Sequence, residues 1–283
     1  MTVGPVAIVG AGRVGRTLAR ALVRLDRPVT VLTRIAQPLP SLDTATVTDW
    51  APALAAADLV VIAVSDDAIA DVAKALVRTG AIGARHVVLH SSGLKDRSAL
   101  AALDATGAAL GSLHILQTFR SPEGEPDLLA GSPGVVEGDS RAIEAARAFA
   151  GMLKLTPIVT IAASEKPRYH AAAVFASNYL VVLVDVAARL GALAGVSDGT
   201  GALFLPLLRG TISHLGTGDP AAAQTGPIRR GDAGTVARHL SVLSEADRAL
   251  YLALAEAALR LAEREGLASA AVEAIAQVLA TGR

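Results

Sequence analysis

Four polar side chains stand in an otherwise apolar run near the middle of the 283-residue chain: Lys166, His170, Ser177 and Asn178, within KPRYHAAAVFASNYLVVLVDVAARLGAL. At about 100° per residue, Lys166, His170 and Ser177 fall within about 40° of one another on one helical face, with Asn178 on its flank. A lysine or histidine so placed can protonate an oxygen or nitrogen that turns basic during a reaction. A serine or asparagine beside it can orient the reacting group. The chain has only four lysines, and one of them opens this line. Lys166, His170 and Asn178 are therefore the candidate catalytic residues, and Ser177 a candidate substrate contact.

A partner for such a stripe is indicated by the first residues. Pro5–Gly15 reads PVAIVGAGRVG, a short apolar run of the kind buried on both faces of a sheet, then a glycine-rich turn, then helical spacing over Thr17–Leu25. Gly10 allows the tight turn, Gly12 lets the backbone approach a pyrophosphate, and Gly15 lets helix and strand pack closely. Arg13 and Val14 complete the loop, and the helix start directs unpaired N–H groups at the phosphates. The second strand, Pro28–Thr33, ends at Thr33-Arg34 with no carboxylate to receive a ribose 2′-hydroxyl. Arg34 offers a fixed charge and a fork of donors for a 2′-phosphate, with Arg13 assisting. The cofactor this predicts is NADP(H).

Further strands bring polar residues to the same edge, because loops at the carboxyl ends of parallel strands face the ligand crevice. Leu59–Val64 leads to Ser65 and Asp66, which join Ser91 as expected cofactor contacts. Val87–His90 leads to Ser91 and Ser92, and Ala108–Leu113 runs into His114 and Gln117. Ser92, His114 and Gln117 are expected to face substrate. A possible short strand lies at Ala45–Val47, and the strands Pro133–Glu137 and Pro157–Ile161 extend the sheet.

The pattern changes at Ser164, read as the N-cap of a helix from about Glu165 to Leu193 with proline in its first turn. Asp198–Gly216, bent at Pro206, Ala233–Leu243, Glu245–Glu265 and Ala268–Leu279 complete an all-α half. Arg230, in the tight loop capped by Asp232, suits a substrate carboxylate. The expected fold class is thus an α/β Rossmann dinucleotide-binding domain, 1–162, followed by an all-α substrate and dimerisation domain, 163–283.

Composition narrows the function. Hydrophobic residues make up 52% of the chain and aromatics only 3%, while the formal net charge is zero. A chain without a basic excess is a poor fit to nucleic acid or an anionic membrane. No cysteine is present, which excludes disulfides, thiolate metal sites and cysteine nucleophiles. A strand within a few residues of the start leaves no room for a signal peptide. The uncharged run Ala171–Val184 is too short to span a bilayer. These features predict a soluble cytoplasmic protein with no metal.

Taken together, GAGRVG, HSSG, LHILQTF, KPRYHAAAVFASNY and TGPIRRGD resemble the bacterial Rossmann-like oxidoreductases whose C-terminal helical domain is of unknown function. That group is similar to 6-phosphogluconate dehydrogenase, ketopantoate reductase and pyrroline-5-carboxylate reductase. The resemblance covers nearly the whole chain and implies an NADP-binding domain, an all-α domain like the C-terminal one of 6-phosphogluconate dehydrogenase, and a homodimer. It also implies a catalytic lysine and asparagine on the long helix, which Lys166 and Asn178 would supply. His170 stands one turn after the lysine, where the related proteins carry the asparagine. The function expected is NADP(H)-dependent reduction of a small carbonyl-containing acid in an interdomain cleft. An imine reductase and a non-catalytic NADP(H) sensor are the alternatives.

Overall fold

Val6–Val9 (β1) is buried at all four positions, as a continuous apolar run demands when helices cover both faces of a sheet. Successive side chains divide between two cores: Val6 and Ile8 pack with Leu18, Leu22 and Phe149, while Ala7 and Val9 pack with Leu54, Leu76 and Leu100. The computed structural model describes residues 4–39, 42, 44–196, 199–216 and 218–282. By its contacts the chain divides into a first unit, Met1–Asn178, and a second, Tyr179–Arg283.

In the first unit, β1 leads into α1 (Arg13–Arg24) and then β2 (Val29–Leu32). A small hairpin of β3 (Pro38–Leu39) and β4 (Thr44–Ala45) follows, and Val47 bridges to Leu32. Next come α2 (Trp50–Ala56), β5 (Leu59–Ile62), α3 (Ile69–Arg78), β6 (Val87–His90), β7 (Ala109–Ile115), β8 (Gly134–Gly138), α4 (Ser140–Met152) and β9 (Ile158–Thr160). The sheet order is β2-β1-β5-β6-β7-β8-β9. The first five strands are parallel; β8 runs antiparallel to β7, and β9 parallel to β8. Chain order reverses at β1, whose neighbours are β2 on one side and β5 on the other. Loops leaving β1 and β5 therefore diverge and open a crevice at the switch point.

The long helix expected over 165–193 is two helices, α5 (Lys166–Ala176) and α6 (Asn178–Leu193), separated by Ser177 with φ −125° and ψ −64°. Ser164 is not a cap; it sits within a 3₁₀ turn, Ala163–Glu165, that leads into α5. Pro167 does occupy the first helical turn.

The second unit comprises α6, α7 (Leu205–Leu215), α8 (Ala233–Val242), α9 (Glu245–Arg264) and α10 (Ser269–Thr281). A 3₁₀ turn at Gly201–Phe204 precedes α7, so no bend falls at Pro206; the expected start at Asp198 lies outside the described residues. Asp232 caps α8 as expected, accepting from Thr235 N–H at 2.9 Å. The core here is Val236, Leu240, Leu252, Leu259, Ile275 and Leu279 from the last three helices. Arg189 of α6 donates to Asp247 of α9 at 2.8 Å. Within the 31-residue helical segment Ala163–Leu193 an 18-residue window has mean hydropathy 1.8, enough by length and composition alone to cross a membrane.

Candidate active site

The crevice at the switch point is a groove of about 670 Å³, walled by Gly10–Val14 after β1, Ala63–Ser65 after β5, Ser91 after β6, and Gln37, Gln117 and Phe119. Gly10 has φ +111°, and a Cβ on it would meet the Ala63 carbonyl at 2.4 Å. A Cβ on Gly15 would meet the Gly10 carbonyl at 2.0 Å, whereas one on Gly12 would meet nothing within 4 Å. The first and third glycines thus serve packing, and the second keeps the approach to the α1 N-terminus open. Gly12 is the N-cap and gives α1 no side-chain cap, so the helix start is available to an anion. The geometry fits a dinucleotide pyrophosphate. Arg16, missed in the sequence, steadies this loop: its Nε donates to the Ala11 carbonyl at 2.8 Å and Nη2 to Gln37 at 3.1 Å.

Of the expected cofactor residues, Gly10, Gly12, Arg13, Val14, Ser65 and Ser91 line the groove. Gly15 stands behind it. Arg34 lies just beyond β2, exposed and without a side-chain partner among the described residues. Thr33 does not line the groove, because its hydroxyl is spent on the Ile35 carbonyl at 2.9 Å and on Thr46 Oγ1 at 2.6 Å. Asp66 begins a 3₁₀ turn directly after Ser65 and is not among the residues that wall the groove. Gln117, expected at substrate, lines the nucleotide groove instead.

Beyond the carboxyl ends of β6 and β7, a second cluster gathers around α5. Lys166 is 1% exposed. Its Nζ donates to the Ser92 carbonyl at 2.9 Å and to Ser112 Oγ at 2.8 Å. Ser112 in turn donates to Glu137 Oε2 at 3.1 Å. Ser112 and Glu137 stand directly opposite in the antiparallel β7/β8 pair, which places a carboxylate within reach of the buried ammonium. Burial lowers the Lys166 pKa to about 8, with Glu137, Asp96 and Asp66 opposing that shift. The interior polar positions of LGSLHI and GVVEG were the sequence signal for Ser112 and Glu137.

Three histidines border the cluster or lie within it. His90 is fully buried; Nδ1 accepts from Ser92 N–H at 3.3 Å and Nε2 meets the Asp96 carbonyl at 3.0 Å. Burial lowers its pKa to about 4. His114 Nδ1 lies 2.5 Å from the Tyr169 hydroxyl, and its pKa also falls to about 4 through burial, then the charges of Lys166 and His170. His170 Nδ1 is buried without a hydrogen-bond partner. A Cβ on Gly93 would lie 2.9 Å from His170 Nδ1 and 3.0 Å from His114 Nε2, so only glycine lets both rings close on this loop.

The structure therefore brings Lys166, His170 and His114 together. Ser92 is present through its backbone; its hydroxyl accepts from Leu94 and Lys95 N–H at 3.1 and 2.9 Å and builds the turn. The helical break removes Ser177 from the single stripe expected, and Asn178 is exposed. Arg230 belongs to the second unit, exposed, with its charge acting on the nearby Asp232 carboxylate. Among the described residues, no group of three or more His, Asp or Glu side chains could hold a metal ion.

Residues 3–115 match the family of Rossmann-like domains, and residues 132–258 match a domain of unknown function, DUF2520. A search of curated proteins finds no match. Among solved structures, the chain is similar to a Bacteroides fragilis protein provisionally named an NADP oxidoreductase, at 23% identity and TM-score 0.73, over 91% of this chain and 98% of that one. It is also similar to an imine reductase from Myxococcus stipitatus solved with NAD+, at 16% identity and TM-score 0.57, over 99% and 93%. A reductive aminase from Aspergillus terreus, solved with NADPH4, cyclohexanone and allyl amine, matches at 19% identity and TM-score 0.58, over 98% and 93%. At these identities the likeness is one of fold. The chain thus joins a Rossmann-like domain to a following DUF2520 domain.

Proposed function

We propose that the protein is an NADP(H)-dependent oxidoreductase that reduces the carbonyl of a small acid. The observation that carries this reading is the open glycine groove at the switch point, continued at Ser91 by the loop that Lys166, His114 and His170 surround. A bound nicotinamide cofactor would supply the hydride. Gly12 and the start of α1 would hold its pyrophosphate, and Arg34, with Arg13, its 2′-phosphate. Lys166 would fix the Ser92 carbonyl and lend positive charge to a developing oxyanion, two of its three donors being held by Ser92 and Ser112. Lys166 or His170 would stand beside the developing charge, Lys166 with one N–H left to give its proton, and His114 and Asn178 would orient the substrate.

A second reading, imine reduction, draws support from the likeness to an imine reductase and a reductive aminase over nearly the whole chain. NADPH oxidation measured across small oxo acids and cyclic imines separates the two; turnover of neither class would leave a nucleotide-binding protein without reductase activity. In the same assays Arg34→Ala should weaken NADPH binding by about 10- to 100-fold, the worth of one charge-assisted contact, and leave NADH binding unchanged. Equal weakening of both would remove Arg34 from the phosphate site.

The second unit supports a homodimer. Val181 (70% exposed) on α6 and Leu207 (70%) on α7, with Val182, Ile212 and Leu215, leave apolar side chains open on these two helices, the kind of surface a partner covers. A second copy suits this surface better than a bilayer, because α6 carries Asp185 and Arg189 and is pinned by Arg189 to α9.

A further inference from the structure

Tyr169, which the sequence reading passed over, sits between Lys166 and His170 in the chain and turns its hydroxyl to His114. The rings meet edge to face, with centroids 5.5 Å apart and planes at 77°. A phenol has one hydrogen to give, and a neutral imidazole has one donor and one acceptor nitrogen. His114 Nδ1 is the only hydrogen-bond partner of the Tyr169 hydroxyl among the described residues. Donation from the phenol satisfies both groups and obliges His114 to carry its proton on Nε2.

That nitrogen borders Gly93. The point 3.0 Å from it is also 2.9 Å from His170 Nδ1, a buried atom with no partner. The two nitrogens can be no further apart than those two distances together. A turn about the soft terminal torsion of His170 brings its Nδ1 towards that N–H while His114 keeps its bond to Tyr169. A buried acceptor facing an N–H donor is the arrangement that removes the cost of the orphan.

We propose that Tyr169 and His114 are positioning residues that act through His170. Tyr169 donates to His114 Nδ1, His114 presents Nε2–H to His170 Nδ1 across Gly93, and His170 therefore keeps its own proton on Nε2, the nitrogen left to donate a hydrogen bond to the substrate. The catalytic consequence rests on the reductase reading above; the proton pattern itself does not. Burial agrees with the pattern, holding the His114 pKa near 4 and raising that of Tyr169 to about 12, so that at neutral pH the ring is uncharged and the phenol intact.

Long-range ¹H–¹⁵N spectra of the ¹⁵N-labelled full chain at neutral pH read each histidine tautomer directly, with His114→Gln and His170→Gln assigning the two rings. The expected result is a single Nε2–H tautomer at both rings, lost to averaged nitrogen shifts at His114 and then His170 in Tyr169→Phe. An Nδ1–H form of His114 in the unmodified protein overturns the proposal without any variant, as does an unchanged pattern in Tyr169→Phe. These spectra need no substrate, so they stand apart from the activity screen. With a substrate from that screen, Tyr169→Phe should lower kcat and leave KM unchanged; an unaltered kcat overturns the catalytic consequence.

Discussion

At the scale of the residue, the glycine loop shows that three glycines of one motif obey different constraints. Gly15 cannot accept a side chain, because its Cβ would stand 2.0 Å from the Gly10 carbonyl, backbone against backbone. Gly15→Ala should destabilise the first unit by about 1–3 kcal/mol, the usual cost of overpacking, and abolish NADPH binding; urea titration and cofactor fluorescence check both. Histidine burial gives a second expectation. The native His90 pKa lies near 4 against 6.5 for the free side chain, so the unfolded chain binds more protons across that window. The stability this group contributes is full above 6.5 and lost as pH falls towards 4, by about 3 kcal/mol for His90, with His114 acting in the same direction. Urea midpoints measured at neutral pH and near pH 4 should differ accordingly; equal midpoints would contradict the burial of these rings.

At the scale of the element, what the sequence disclosed and what it withheld have distinct physical origins. The buried parallel strands were legible because apolar runs bounded by turn residues have few other fates, and the glycine spacing named the crevice. The break at Ser177 was not legible: AVFASNYLV keeps apolar character on both sides, and no proline or glycine marks the change. The ten-residue 3₁₀ segment Arg97–Thr106 was likewise missed, its alanines and leucines giving no period that separates it from a loop. Lys166 was found by its oddity in an apolar run, and Ser92 by its place after β6, but Ser112 and Glu137 were not. Ser112 and Glu137 become neighbours only through the antiparallel pairing of β7 with β8, and long-range register leaves no local trace. Tyr169 looked like ordinary packing until the ring of His114 stood beside it.

At the scale of the molecule, the open apolar surface of α6 and α7 in the second unit is the dominant unsatisfied feature. A twofold pairing would bury the same helices on each copy. Val181→Glu with Leu207→Glu should convert a dimer to a monomer in sedimentation velocity, while the groove of the first unit keeps its affinity for NADPH. A monomeric parent protein would refute the pairing.

The Lys166 tether also decides where this chain can be cut. A fragment that stopped at 162 would strip the ammonium from beneath Ser92 and leave the Ser112–Glu137 pair facing a vacancy, although every strand and every glycine of the nucleotide loop would be retained. Carried on to Asn178, the same fragment keeps its keystone cation and the whole of α5. The cofactor half, in functional terms, ends one helix later than its last strand.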